Sequence, residues 1–378
     1  MVAIATSFAD SFRKKLDEVL YEIGEEVQLS ESRYNEVDGR YHAVGTLLES
    51  DSSPFRRERP AIYPQGSMAL GTTVKPVSGP HDLDFVMELS RDYQQVNPMG
   101  LLLELYRFLK EHGTYGPMTS LKNRCVRIEY ANDFYMDILP ACRNGNAGNG
   151  CIKVPDRKVQ GWKDSNPLGY AREFYKRCRY YLVEGRVIAK AEPIPAQQAA
   201  ADKYVLQLVV QLIKRWRDLY YERSGVAPIS VVLTTLTATH YHGETSVSEA
   251  LSNVLVGIEA AIEAAEASGQ RIVVLNPSNT AEDLSERWDA GDGSYEAFAE
   301  GLRDFRQSWS SLVEKGGDIS TGLVDLFGEP VKAVFVKQAR RLQEARRAGQ
   351  LRVTSAGTIT GAVTASREIR PNTFYGAE

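Results

Sequence analysis

No stretch of the chain approaches the ~20 consecutive apolar residues a membrane-spanning helix requires. Four cysteines are present, Cys125, Cys142, Cys151 and Cys178, and none forms a CxxC pair. That spacing argues against a zinc knuckle or a dithiol redox motif and suits reduced thiols in a cytoplasmic protein. Basic surplus is missing too: 45 Lys and Arg stand against 49 Asp and Glu, for a net charge of −4. A protein devoted to long nucleic acid usually advertises a basic surface. The local runs Arg56, Arg57, Arg59 and Lys176, Arg177, Arg179 read as solvated faces. The N-terminus, MVAIATSFADSFRKKLDEVL, mixes charge with apolar residues and does not read as a secretory signal. No internal repeat is visible.

What is present is enough apolar material, 43% of 378 residues, for one large unit or two closely packed lobes. Phe8, Phe12, Leu16, Leu20 and Ile23 recur at helical spacing, so about residues 7 to 50 read as one or two long helices. Strands are expected near Ala61 to Tyr63, Asp82 to Leu89, Arg124 to Tyr130 and Phe134 to Leu139, with a helix opened by Asn97 and Pro98. The Gly- and Asn-rich stretch 143–166 reads as an irregular loop. Beyond it the pattern is helical, until a Thr-, Ser- and Gly-rich tail from about Leu351 that reads as flexible. The expected architecture is α+β and two-lobed: a mixed-sheet lobe with a long N-terminal helix over 1–165, a helical lobe over 166–350, and the tail 351–378.

The chemistry is concentrated in YPQGSMALGTTVKPVSGPHDLDFVMEL, residues 63–89. In a strand, Asp82 and Asp84 point to one face while Leu83 and Phe85 point to the other. Two like charges so close repel, which calls for a positive partner. Asp137, in FYMDILPA, is a third acid where an apolar residue is expected. Three carboxylates on neighbouring strands would make an oxygen-rich pocket suited to two Mg²⁺ or Mn²⁺ ions and to phosphoryl transfer. Gly66 lets backbone approach a phosphate, and Ser67 can donate to one. Taken alone, Gly-Ser is an ordinary turn and Asp-Leu-Asp a solvent-facing strand edge; the combination carries the argument.

PQGSMALGT, then DLDFV, then YMDILPA resemble the nucleotidyltransferase core of the DNA polymerase beta superfamily. More narrowly they resemble the bacterial CD-NTases, relatives of cyclic GMP–AMP synthase and oligoadenylate synthase. QLVVQLIKRWRDLYY with APISVVLTTL, and LNPSNTAEDLSERW at 275–288, extend the resemblance into the helical half. It implies that Asp82, Asp84 and Asp137 hold the metal ions, with Asp137 also assisting deprotonation of the attacking ribose hydroxyl. It implies that Gln65, Gly66 and Ser67 contact the donor phosphates, that Lys214 neutralises triphosphate charge, and that Ser230 donates to it. From the residues alone, Lys214 equally reads as a snorkelling lysine and Ser230 as a helix N-cap. His81 reads as a turn residue ahead of the strand.

The sequence departs from the animal enzyme in having Val231 after Ser230, where an aromatic would stack on the base; Tyr170, Phe174 or Tyr175 are the replacements considered. It also lacks a His/Cys cluster, so no obligate DNA or RNA ligand is expected. The resemblance implies condensation of nucleoside triphosphates into a cyclic di- or trinucleotide second messenger, with release of pyrophosphate, for anti-phage (CBASS) signalling through an effector reached only by that product. No membrane association is expected. The tail, ending RPNTFYGAE, is a candidate for conjugation by a ubiquitin-like ligation module. Two alternatives stay open: an RNA-tailing or tRNA-modifying nucleotidyltransferase, and a non-catalytic nucleotide-binding sensor.

Overall fold

The computed structural model describes residues 2–131, 134–144, 150–178, 195–222, 227–315, 319–354, 359–360 and 366–368, with side chains between residues 10 and 353 except at 315. Phe8 and the closing segment 370–378 therefore lie outside the described side chains and residues. The chain begins with α1 (Val2–Val27) and α2 (Glu31–Glu49), then β1 (Ala61–Pro64), a single helical turn α3 (Gly66–Leu70), β2 (His81–Asp92) and α4 (Pro98–Glu111). Next come β3 (Thr119–Leu121), β4 (Val126–Tyr130), β5 (Phe134–Arg143), β6 (Ile152–Asp156) and β7 (Gly161–Ser165). The remainder is mostly helical: α5 (Pro167–Cys178), α6 (Val205–Tyr220), α7 (Ser230–His240), α8 (Val247–Ala267), α9 (Ser294–Lys315), α10 (Ile319–Phe327) and α11 (Glu329–Arg347). A short hairpin, β8 (Leu275–Asn276) with β9 (Asn279–Asp283), interrupts it. Of the tail, Arg352–Thr354, Ile359–Thr360 and Ser366–Glu368 pair as a small antiparallel sheet.

Seven strands make one mixed sheet in the order β1-β2-β5-β4-β3, with β6 and β7 continuing from the end of β5. β2 and β5 run parallel at its centre, and β4 is antiparallel to β5. The parallel pairing sets Asp84 directly beside Asp137 and Asp82 beside Tyr135. Alternation then sorts the faces: Leu83, Phe85, Ile128, Met136 and Ile138 are buried with Val37, Tyr41 and Leu48 of α2 and Leu101, Leu105 and Leu109 of α4. Asn97 caps α4 through its side chain, which accepts from the Gly100 N–H at 2.7 Å.

A second core belongs to the helices. Leu16, Leu20 and Ile23 of α1 are buried with Leu208, Leu212 and Trp216 of α6, Leu251 and Leu255 of α8, and Phe298, Phe305 and Trp309 of α9. The N-terminal helix thus packs on the helical half while α2 packs under the sheet. Two local expectations are corrected. The stretch read as an irregular loop contains the β6–β7 hairpin, whose strands are held in register from Ile152–Ser165 to Asp156–Gly161. The Gly66-Ser67 pair, read as a small turn, opens a single turn of helix. Among the described residues no helix is long and apolar enough to cross a membrane.

Candidate active site

The acid-bearing face of the sheet forms one wall of a cavity of about 990 Å³. Asp82, Asp84 and Asp137 line it, and so do Gln65, Gly66 and Ser67, Lys214 and Ser230. Residues from β1–α3, β2, β5, α6 and α7 thus converge on a single space, although Asp82 and Lys214 are far apart in the chain.

Gly66 is fixed by two demands. Its φ is +57°, and a Cβ there would lie 3.0 Å from Asp84 Oδ2. A side chain would be strained by the backbone and would crowd the carboxylate. The loop is pinned to the acids from the other side, because Gln65 N–H donates to the Asp84 carbonyl at 2.9 Å. Gln65 makes no side-chain cap for α3, so the first-turn N–H groups are not occupied by one. The Ser67 hydroxyl accepts from Thr73 Oγ1 at 3.3 Å.

Three positions along α6 grip the segment that follows α3. Gln207 Nε2 donates to the Leu70 carbonyl at 2.8 Å and Gln211 Nε2 to the Thr73 carbonyl at 2.7 Å. Lys214 Nζ reaches both the Thr72 carbonyl, at 3.2 Å, and Thr72 Oγ1, at 3.1 Å. Residues 207, 211 and 214 recur at helical spacing on one face of the helix, in a stretch, 205–214, that is otherwise apolar. Lys214 is therefore not a snorkelling surface lysine; only 5% of it is exposed. Burial, aided by the charge of Arg217, brings its ammonium down to about 7. Burial and Lys214 hold His81 down at about 4, and its buried Nε2 has no hydrogen-bond partner in the structure. Ser230 is the first residue of α7 and makes no cap; its hydroxyl accepts from Arg217 Nη1.

The electrostatics of the acids follow from their crowding. Removal from water, then Asp137 and Asp82, pushes the Asp84 carboxyl up to about 7. The positive partner that the repulsion calls for is Arg127, a residue that sequence reasoning did not single out. It faces Asp137 across the antiparallel β4–β5 pair and donates from Nε and Nη2 to its two oxygens, both at 2.7 Å. Nη2 also reaches Asp82 Oδ1 at 3.1 Å. Alternation in RCVRIEY carries the signal, since Val126 and Ile128 are buried and Arg127 must face the acids.

The fit to a divalent cation is specific in kind. Among the described residues no three His, Cys, Asp or Glu side chains already enclose one point. Mg²⁺ and Mn²⁺ do not need such a cage, because substrate phosphates and water complete their shells. Three carboxylates against a cavity, one of them disfavoured as an anion, match that donor set.

The far rim carries its own charges. Glu286 accepts from Arg124 at 2.8 Å and from Lys163 of β7 at 2.8 Å, tying the sheet to the segment after β9. Asn276 donates to Glu282 at 2.7 Å along the same wall. Of the aromatics considered for base stacking, only Tyr170 lines the cavity, with its hydroxyl hydrogen bonded to Thr235 at 2.8 Å. Phe174 is buried in a small core, and Tyr175 donates to the Ala69 carbonyl and faces a different cavity. Trp162 lines the main cavity and was not anticipated.

Residues 15–177 match the Second Messenger Oligonucleotide or Dinucleotide Synthetase domain. The chain is 29% identical over 372 residues to a c-di-GMP synthase of Roseivirga ehrenbergii, covering 96% of this chain and 98% of that protein. It is 27% identical over 399 aligned residues to the cyclic dinucleotide synthase CdnG of Bradyrhizobium diazoefficiens, covering 94% and 92% of the two chains. The structure of that CdnG in complex with GTP superposes with a TM-score of 0.70 at 24% identity, over 84% of this chain and 96% of the other. The α+β fold is that of these enzymes. Residues 15–177 thus carry that synthetase domain, and along nearly its whole length the chain is similar to bacterial cyclic dinucleotide synthases, which makes it a nucleotidyltransferase.

Proposed function

We propose that the protein condenses nucleoside triphosphates, GTP among them, into a cyclic dinucleotide second messenger with release of pyrophosphate. The observation that carries this is the register of the parallel β2–β5 pair, which sets Asp84 beside Asp137 on a cavity wall shared with Gln65, Gly66 and Ser67. Divalent cations, two Mg²⁺ or Mn²⁺ ions in this reading, would be held by Asp82, Asp84 and Asp137, and when bound would polarise the α-phosphate and neutralise the leaving pyrophosphate. The protein's part is positioning and charge. Gln65, Gly66 and Ser67 orient the donor triphosphate, with Gly66 keeping the approach to Asp84 open. Lys214, Arg217 and Ser230 meet the triphosphate from the helical side. Asp137 accepts the proton of the acceptor ribose hydroxyl as it attacks.

GTP is favoured because the two relatives are named as a c-di-GMP synthase and a cyclic dinucleotide synthase and the superposed enzyme binds GTP. Acid groups along the far wall, such as Glu282, suit the N–H donors of a guanine edge. In the proposed division at 165/166 the sheet lobe holds the acids and the phosphate-facing turn, the helical lobe reads the base and adds Lys214, Arg217 and Ser230 against the triphosphate, and 351–378 is a tail. In a CBASS role, a cytoplasmic product would act on its effector without contact between the two proteins. The suggested conjugation of the C-terminus concerns residues 370–378, outside the described residues. Deleting them and finding high-mass conjugates in cells unchanged would end that idea.

The test of function is incubation with labelled ATP, GTP, CTP and UTP and Mg²⁺ or Mn²⁺. Phosphatase-resistant small products are expected, with GTP required. Asp82→Ala combined with Asp84→Ala should abolish them. Extension of an added RNA instead would favour the RNA-tailing alternative.

A further inference from the structure

The acids of the cleft are already neutralised in part. The Arg127 guanidinium lies over the Tyr135 ring at 4.3 Å and spends three hydrogen bonds on Asp137 and Asp82, acids from two different strands. The acids it holds line the cavity, and the pair is not in the core: the Arg127 side chain is 19% exposed and that of Asp82 is 62% exposed. The two carboxylates that Arg127 engages are among those that would hold a divalent cation in the proposed reading.

We propose that Arg127 is a resident stand-in for the divalent cations: it holds Asp82 and Asp137 together in the metal-free protein and must release Asp82 for the ions to enter. This rests on the reading of the three acids as the metal site. It makes Arg127 a positioning residue whose ion pair competes with metal, so the nucleotide-free protein binds divalent cations weakly and loads them with the nucleotide, whose phosphates supply the missing ligands. A plain cross-strand ion pair that stayed on Asp137 in the loaded state would have the opposite effect on metal affinity, because it would orient the ligand.

The test is titration of Mn²⁺ alone into the full-length protein by calorimetry, with thermal midpoints measured with and without Mn²⁺. Arg127→Gln should bind Mn²⁺ about five- to tenfold more tightly than wild type, the scale expected of a partly exposed, charge-assisted pair. Its midpoint should be lower without Mn²⁺ and rise further when Mn²⁺ is added. Arg127→Lys keeps the charge but loses the two-pronged geometry, so it should fall between the two; it also carries the comparison if Arg127→Gln does not fold. Equal or weaker Mn²⁺ binding in these variants overturns the inference and leaves the metal site standing. Arg127→Gln binding Mn²⁺ no better than the triple variant that adds Asp82→Ala and Asp84→Ala overturns the site assignment, and the inference with it.

Discussion

At pH 8 a lysine whose ammonium titrates at about 7 is protonated in only about one molecule in ten. Lys214 is in that position because it is buried beside Arg217, with Thr72 its only hydrogen-bond partner among the described residues. A triphosphate in the cavity supplies the missing counter-charge and restores the charged form. Binding should therefore draw most of a proton per site to Lys214 from solution at pH 8. The assay is calorimetry of GTP binding at pH 8 with chelator present, in two buffers of different ionisation enthalpy, for wild type, Lys214→Met and Asp84→Asn. Uptake should fall by most of a proton in Lys214→Met; what that variant retains is the share of Asp84, which a nearby triphosphate also pushes towards protonation. The same group fixes a sign for stability. Its folded pKa lies below its unfolded one, so the unfolded chain binds more protons between about pH 7 and 10.5, and stability from this group rises with pH across that window. Identical uptake in wild type and Lys214→Met would refute the reasoning, since the proton would then come from elsewhere.

Asp84 gives the opposite sign. Its folded value, about 7, lies above that of an unfolded aspartate, so its contribution is full below about pH 4 and is lost as pH rises through 7. Asp84→Asn should abolish product yet unfold at higher urea than wild type at pH 8, with the gap closing towards pH 4. Gly66→Ala must place a methyl 3.0 Å from Asp84 Oδ2 at a φ of +57°. It should cost about 1–2 kcal/mol by urea unfolding and reduce kcat/KM more than that loss alone explains. Gln211→Leu strands the Thr73 carbonyl that Gln211 reaches at 2.7 Å. A cost of about 1–3 kcal/mol is expected, with weaker nucleotide binding because the segment behind Ser67 loses its hold.

Local patterns carried much of the architecture. Period-two alternation placed Asp82 and Asp84 on one face and Leu83 and Phe85, 0% and 1% exposed, on the other. An Asn-Pro start and apolar spacing were enough for α4, whose Leu101, Leu105 and Leu109 are buried. The β6–β7 hairpin escaped because its strands are five residues long and follow a Gly- and Asn-rich stretch that masks them. Gly66 escaped as a helix start because the same residue that permits a turn also permits the positive φ from which α3 begins.

The parts of the cavity that were not legible share one physical cause: they are contacts between different elements, which the pattern within a single element does not name. Arg127 is one basic residue in an alternating strand, and only the β4–β5 register turns it towards Asp137. Gln207, Gln211 and Lys214 look like defects in an apolar helix until the 70–73 segment is laid along them. Gln207 and Gln211 are fully buried, where unpaired amides would be costly, so their presence in α6 already demanded an external partner. What no pattern within the helix could supply was the partner's identity. The partner is the backbone immediately behind the Gly66-Ser67 turn of helix, so the helical half and the sheet meet through hydrogen bonds to the segment that positions the phosphate-facing loop. A shift of α6 relative to the sheet would therefore be felt first at Ser67 and Thr72, before it reached the acids.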